Sequence, residues 1–454
     1  MSDPIVGIAT AAGEGGIAIV RISGDGAADL FQQVFRPAGK RRPPYESHRL
    51  MYGHAVDGDE MIDECMGVVM YAPHTYTRED VCELHTHGGR VAAALVMKAL
   101  IRLGARPAEA GEFTRRAFMN GRIDLSQAEA VADLVDAETP AAVRQAAGQL
   151  SGVLGRRVRA VYDGLVDVLA HFHAVLDYPD EEIDPFRSET IGGALDRARE
   201  ALEGLLATYD RGRYICGGVP CVLAGRPNAG KSSLLNALVG YERAIVTDVP
   251  GTTRDTVEER CRLGGVVLRL IDTAGLRETE DTVERLGVER SRCALAAAEL
   301  ALLVLDGSAP LTVEDEQAME QAAAAPRVIC LVNKSDLPLA VDLERLKRRF
   351  GRLCVVSAAT GEGLDRLAGQ VAELFPTGGD QGAGELLTNA RQAAAARRAL
   401  ESVERAQTAL AAGVTADAVL TDVEQGLSAL GELTGASIRE DVTARIFERF
   451  CVGK

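Results

Sequence analysis

The chain has 454 residues, with 50 Lys plus Arg against 66 Asp plus Glu and a formal net charge of −16. At ~100–200 residues per domain that length predicts two to four domains, and 47% hydrophobic with 26% charged residues excludes wholesale disorder. No apolar run approaches the ~18–20 residues of a bilayer span, and so acidic a surface repels nucleic-acid phosphates unless a basic patch or partner protein intervenes.

The opening Met1-Ser2-Asp3-Pro4 has no basic patch before an apolar stretch, so no secretory signal is expected. Residues 1–119 read as a mixed α+β domain. Ile5–Ile8, Ile17–Ile22, Val68–Tyr71 and Val81–Leu84 are short β runs. Arg90–Leu103 has helical spacing, with Val91, Leu95, Ala99 and Leu103 as its apolar stripe. Residues 120–216 turn helical, rich in Ala, Leu, Arg and Glu. Within them Asp180-Glu181-Glu182-Ile183-Asp184, between Pro179 and Pro185, reads as a solvated loop.

Residues 217–378 alternate strand with helix: Cys221–Ala224, Val266–Ile271, Leu300–Leu305, Val328–Val332 and Cys354–Val356 are the strands. That is the pattern of a parallel sheet covered on both faces. Residues 379–454 return to the helical texture, as in Gln392–Ala412. An α/β domain between two helical segments of like composition predicts an insertion into a helical domain. The nine cysteines (65, 82, 216, 221, 261, 293, 330, 354 and 451) include no C-x-x-C and read as reduced, cytoplasmic thiols. His85-x-His87 and His171-x-His173 lack a matching ligand pair and read as ordinary histidines rather than a metal site.

Gly225-Arg226-Pro227-Asn228-Ala229-Gly230-Lys231-Ser232 fits G-x-x-x-x-G-K-[ST] and lies between a strand and a helix. Backbone N–H groups of such a loop close on phosphate oxygens, aided by the positive end of the helix. Asn228, Ala229, Gly230, Lys231, Ser232 and Ser233 are the candidate contacts. Lys231 neutralises the β- and γ-phosphates and the Ser232 hydroxyl ligates Mg²⁺. The bland alternative is a glycine loop that serves only strand-to-helix geometry.

Asp272-Thr273-Ala274-Gly275 ends a strand, adding a carboxylate near Mg²⁺ and an N–H for the γ-phosphate. In Asn333-Lys334-Ser335-Asp336 the last carboxylate can accept both N1–H and the 2-amino group of guanine. Adenine lacks that donor pair and would leave the acid unpaired. Ser357-Ala358-Ala359 completes the base pocket. The motifs in this order predict a Ras-like P-loop domain that binds and hydrolyses GTP.

Thr247-Asp248-Val249-Pro250-Gly251-Thr252-Thr253-Arg254-Asp255 falls where the first switch loop belongs, with Thr253 assigned to complete the Mg²⁺ shell. Many GTPases place a water-orienting glutamine where this chain has Leu276, so another group must position the water. Glu284 is the candidate; the alternative is one solvent-facing acid among several.

The G-x-P-N-x-G-K-S and G-T-T-R-D motifs resemble those of the TrmE-Era-like GTPases. More selective are Val20-Arg21-Ile22-Ser23-Gly24, the stretch Gly111-Glu112-Phe113-Thr114-Arg115-Arg116-Ala117-Phe118, and Cys451-Val452-Gly453-Lys454 after Arg445-Ile446-Phe447. These are similar to the MnmE (TrmE) family of tRNA-modifying GTPases, over essentially the whole chain. The resemblance implies a homodimer formed through the N-terminal domain, which binds 5-formyl- or methylene-tetrahydrofolate. Arg21, Glu83, Arg122 and Lys454 are the matching contacts; their spacing alone would make them surface charges. Cys451 points by resemblance towards the one-carbon unit, its role unsettled; an idle tail is the other reading, and the ending suits no prenylation box.

The resemblance further implies activation by K⁺, held by the Asn228 side chain and the carbonyls at Thr247, Val249 and Thr252, in place of an arginine finger. Glu284 matches the family's catalytic acid, beside Asn228 and Lys231. With a flavin-carrying partner, MnmG, such proteins form the 5-carboxymethylaminomethyl or aminomethyl group at the wobble uridine of certain tRNAs, the tRNA being held largely by the partner. The fold class expected is multidomain α/β plus α: an α+β folate-binding domain, a helical domain and an inserted G domain. The rival reading is a ribosome-assembly GTPase switch without modifying activity, though the basic RNA-binding module or second G domain common in such proteins is not evident. A scaffold that binds GTP idly is a third; replacing Arg254 or Glu284 would leave its hydrolysis unchanged.

Overall fold

The structure, a computed structural model, describes residues 2–11, 13–177, 188–241, 259–271, 295–377, 382–414, 416–436, 446–447, 450 and 453. The chain divides into two compact units, Met1–Asp136 with Ala147–Ala201 and Ala395–Lys454, and Ala137–Ala146 with Leu202–Ala394.

The first unit opens with β1 (Ile5–Ile8), β2 (Ile17–Ser23), α1 (Ala27–Val34), β3 (Phe35–Pro37), β4 (Met51–Asp57), β5 (Glu60–Met70), β6 (Val81–His87), α2 (Arg90–Arg102) and β7 (Arg106–Pro107). Its sheet runs β3-β4-β5-β6-β2-β1-β7, antiparallel except at the β1–β7 edge. Period-two alternation sends Ala18, Val20 and Ile22 into the core under α1 and α2, leaving Ile17, Ile19 and Arg21 on the other face.

The apolar stripe expected on α2 is corrected. Ala93, Val96, Ala99 and Leu100 are buried, whereas Val91 is 70% exposed and Leu95 and Leu103 also face out. This helix is apolar on more than one side, and the alanine-rich side lets it lie close on the sheet, a choice periodicity alone does not make. The β5 run is also longer than the Val68–Tyr71 segment read from sequence.

Helices follow: α3 (Glu112–Met119), α4 (Leu125–Val135), α5 (Pro140–Leu150), α6 (Val153–Asp177), α7 (Ser188–Leu206) and α8 (Tyr209–Gly217). A capping box between Asp124 and Gln127 starts α4.

The second unit contains β8 (Val219–Ala224), α9 (Lys231–Tyr241), β9 (Glu259–Leu263), β10 (Val266–Leu270), β11 (Leu300–Asp306), α10 (Val313–Ala322), β12 (Val328–Asn333), α11 (Leu343–Phe350), β13 (Leu353–Val355) and α12 (Leu364–Leu374). Strand order is β13-β12-β11-β8-β10-β9. Leu302, Val304 and Leu331 pack into one face's core, and Ala301, Leu303 and Val332 into the other's. Hence the strands read as unbroken apolar runs.

The expected all-parallel sheet has an antiparallel edge, since β9 pairs with β10. Gly264 and Gly265, at φ 62 and 76, make the hairpin turn that reverses the chain. The last helices are α13 (Ala390–Ala411) and α14 (Ala416–Thr434), and α14 packs along α6 and against α4 in the first unit. No helix among the described residues is long and apolar enough to cross a membrane.

Candidate functional site

The second unit's site forms at the carboxyl ends of β8, β11 and β12, where a parallel α/β sheet receives its ligands. The turn from β8 into α9 needs unusual backbone: Gly225 has φ 147, Asn228 φ 62 and Gly230 φ 96. A Cβ on Gly225 would meet the Val304 carbonyl at 2.3 Å, and one on Gly230 the Asn333 amide at 2.2 Å. Both glycines are required by close approach as well as by φ.

Lys231, first residue of α9, donates to the Gly225 and Arg226 carbonyls at 2.7 and 2.8 Å. Burial lowers its pKa. Asn333 ends β12 and is buried; its Nδ2 donates to the Ala229 carbonyl at 3.0 Å and its Oδ1 accepts from the Ala358 N–H at 3.0 Å. One side chain thus joins the phosphate loop, the base loop and the Ser357-Ala358-Ala359 turn. Asp336 is aimed by Ser357, whose Oγ donates to it at 2.6 Å.

Asn228, Ala229, Gly230, Lys231, Ser232, Ser233, Asn333, Lys334, Asp336 and Ser357 to Ala359 are therefore gathered on neighbouring strand ends. Thr247 to Asp255, Asp272 to Gly275, Leu276 and Glu284 lie outside the described residues, as do Asp180 to Asp184, Cys293, Cys451 and Lys454. Sequence reading missed Arg226, Asp306 and Asp315 beside this loop. A signal for Asp306 was present: it is the one acid at the end of a strand otherwise apolar and wholly buried.

In the first unit, Arg21 on β2 and Glu83 on β6 are cross-strand partners, and Arg21 Nε donates to Glu83 Oε1 at 2.8 Å. His85 Nε2 sits 3.1 Å from Glu83 Oε2. Burial opposes the Glu83 charge, but His85 and Arg21 outweigh it and hold the carboxyl below its ordinary pKa. The Arg21 guanidinium lies 5.6 Å from the ring centroids of both Tyr76 and Phe113, and that of Arg122 lies 4.9 Å from Tyr76. Arg21 and Arg122, two of the charges chosen by resemblance, thus share the Tyr76 ring, and Glu83 joins them through Arg21; sequence reading did not single out Tyr76.

Gly453 comes to the same sheet, against β1, the strand beside β2. Buried Gly453, at φ 98, lies so close to β1 that a Cβ would meet the Ile8 carbonyl at 2.1 Å. A Cβ on Gly7 would meet both Gly453 Cα and the Phe113 ring at 3.2 Å. The Gly111–Phe118 stretch is explained by packing: Glu112 is buried against Arg106 and Arg116, Phe113 is buried, and Thr114 meets the Tyr76 hydroxyl at 2.9 Å. His87 pairs with Asp63 at 2.8 Å, and no group of three His, Cys, Asp or Glu among the described residues could hold a metal.

A doubly covered sheet with a phosphate loop after β8 and a guanine-type base loop after β12 defines a P-loop GTPase, here joined to an α+β domain and a helical domain. Residues 4–122 match the family model described as the GTP-binding protein TrmE N-terminus, and residues 125–451 match that of the MnmE helical domain. The tRNA modification GTPase MnmE of Chloroflexus aurantiacus is 47% identical over 459 residues, covering 100% of both chains. That of Heliobacterium modesticaldum is 44% identical over 468 residues, again covering 100% of both. Among solved structures, the G domain of the T. maritima FeoB iron transporter covers 34% of this chain and 97% of its own, at 29% identity and a TM-score of 0.26. The chain belongs to the MnmE family of tRNA modification GTPases.

Proposed function

We propose that this GTPase is activated by K⁺ and works as a homodimer with a flavin-carrying MnmG-type partner. Together they build the 5-carboxymethylaminomethyl or aminomethyl group at the wobble uridine of certain tRNAs. Residues 1–119 form the folate and dimerisation domain, 120–216 and 379–454 the helical domain, and 217–378 the G domain. The location is the cytoplasm.

The observation that carries the folate part is the grouping of Arg21 with Tyr76, Phe113 and its ion-pair partner Glu83, with Arg122 on the Tyr76 ring. The donor set suits a tetrahydrofolate. A pterin presents an N–H and amino pair to a carboxylate such as Glu83, aromatic rings cover its flat face, and cations meet its glutamate tail. Lys454 would add a further cation and Cys451 a thiol near the one-carbon unit. When bound, the folate supplies the methylene carbon of the modification.

In the G domain, Ser232, Thr253 and, indirectly, Asp272 would hold Mg²⁺. Asn228, with the carbonyls at Thr247, Val249 and Thr252, would hold K⁺. Asn228 lies in the left-handed region, three residues before the helix that begins at Lys231. Held by these groups, a monovalent cation would supply positive charge for the phosphates in the transition state. Glu284 would orient the attacking water and Asp336 would select guanine.

Calorimetric titration of the full chain with 5-formyl-tetrahydrofolate tests the first-unit reading. Binding that is lost in Glu83→Gln and Arg21→Gln while GTP turnover persists supports it. Unchanged folate affinity in both variants refutes it.

A further inference from the structure

One carboxylate outside every nucleotide motif joins the two loops of the GTP site. Asp306 closes β11, and its side chain is 9% exposed. Its Oδ1 accepts from the Ser308 N–H and hydroxyl at 2.9 and 2.6 Å. Its Oδ2 accepts from Lys334 Nζ at 2.6 Å and lies 3.7 Å from Arg226 Nη2. Lys334 belongs to the base loop and Arg226 to the phosphate loop.

Arg226 meets a second acid by charge alone, its Nε being 3.0 Å from Oδ1 of the buried Asp315 without hydrogen-bond alignment. The other Asp315 oxygen accepts from the Thr312 N–H and hydroxyl at 2.9 and 2.8 Å, at the start of α10. Two acids and two cations form a charge-balanced row, the condition under which buried ions are tolerated.

The row acts on both loops. The Arg226 carbonyl is one of the two that hold the Lys231 ammonium. Lys334 sits at φ 66, a region that side chains other than glycine adopt only when their surroundings impose it. Asn333 fastens the phosphate loop near its far end by a hydrogen bond to Ala229, and Asp306 attracts its start by charge, at Arg226. One attachment leaves a loop free to pivot; two set its orientation.

We propose that Asp306 is a positioning residue for GTP. With one oxygen it hydrogen-bonds Lys334 and attracts the Arg226 guanidinium 3.7 Å away, and so sets the distance between the base loop and the phosphate loop, and with it nucleotide affinity and base selectivity. This rests on the reading of residues 225–232 and 333–336 as the nucleotide site.

The test is nucleotide binding and turnover by the full chain carrying Asp306→Asn, which keeps the shape and removes the charge. Dissociation constants for GTP and GDP rise about tenfold, as loss of a charge-assisted contact implies. The number of sites per chain is unchanged, and the loss falls on KM rather than on kcat. The preference for GTP over ITP, which lacks the 2-amino group, shrinks by roughly threefold or more. Ser308→Ala, which removes only the hydroxyl bond to Oδ1 and keeps the N–H one, gives a smaller rise of about twofold to threefold.

A fall in the number of competent sites with unchanged dissociation constants, or an unchanged GTP-to-ITP ratio, overturns the proposal. Asp336→Asn serves as the control. If it abolishes the GTP preference while Asp306→Asn does nothing, only the role of Asp306 fails. If Asp336→Asn itself leaves the preference intact, the reading of the nucleotide site fails with it.

Discussion

The Asn333 amide spans the gap between two loops, donating to the Ala229 carbonyl and accepting from the Ala358 N–H, each at 3.0 Å. Every polar atom of that side chain has work in a place where water does not reach. The phosphate loop and the base pocket therefore share one rigid reference, and the carboxylate of Asp336 is aimed relative to it by Ser357.

Asn333→Ala leaves the Ala229 carbonyl and the Ala358 N–H without this partner. The cost is about 2–3 kcal/mol, shared between fold stability and nucleotide affinity. Urea unfolding with and without GTP measures both parts: the variant loses stability in each, and loses more of the increment that GTP adds. An equal loss in the two conditions would separate Asn333 from nucleotide binding.

The first unit has an acid-sensitive brace. Glu112 is 1% exposed; burial raises its pKa, but Arg106, the Glu109 N–H and Arg116 outweigh that and hold it below its ordinary value of 4.5. A carboxyl whose folded pKa is lowered stabilises the fold fully above the unfolded value and loses that contribution as pH falls through the folded one. Glu112→Gln therefore costs about 2 kcal/mol at pH 7. The gap between variant and wild type narrows as pH falls below that ordinary value. A gap that stays constant over that range contradicts the account.

Gly453 is a third point of test. Its φ of 98 and the 2.1 Å approach to the Ile8 carbonyl leave no room for a methyl group. Gly453→Ala lifts the tail from β1, at a cost of about 1–3 kcal/mol in local stability. Carboxypeptidase digestion of the full chain reads this directly, with faster release of the last residues in the variant. Equal release rates would show that the tail does not depend on this seat.

Much of this was legible in sequence because the chemistry is local. The phosphate loop lies on consecutive residues, so Gly225 to Ser233 could be named without knowing the fold. So could the loop at Asn333 to Asp336 and the apolar strands that precede both. What escaped was chemistry assembled across strands. Arg21 and Glu83 are 62 residues apart and meet only through the register of β2 on β6. Tyr76, from the loop between β5 and β6, and Phe113, from α3, pack together, so no spacing rule finds the pair. Asp306 escaped for the same reason, its two cations being brought to it by the sheet. The buried side of α2 was misread because two apolar stripes share that helix, and only the sheet decides between them.

The proposed function gives potassium, seated at Asn228, the role of catalytic charge. GTP turnover by wild type and Asn228→Ala, in potassium and in sodium at matched ionic strength, tests it most directly. The account predicts strong stimulation of wild type by potassium and none of the variant. Equal rates in the two salts, or stimulation that survives the loss of Asn228, would contradict it.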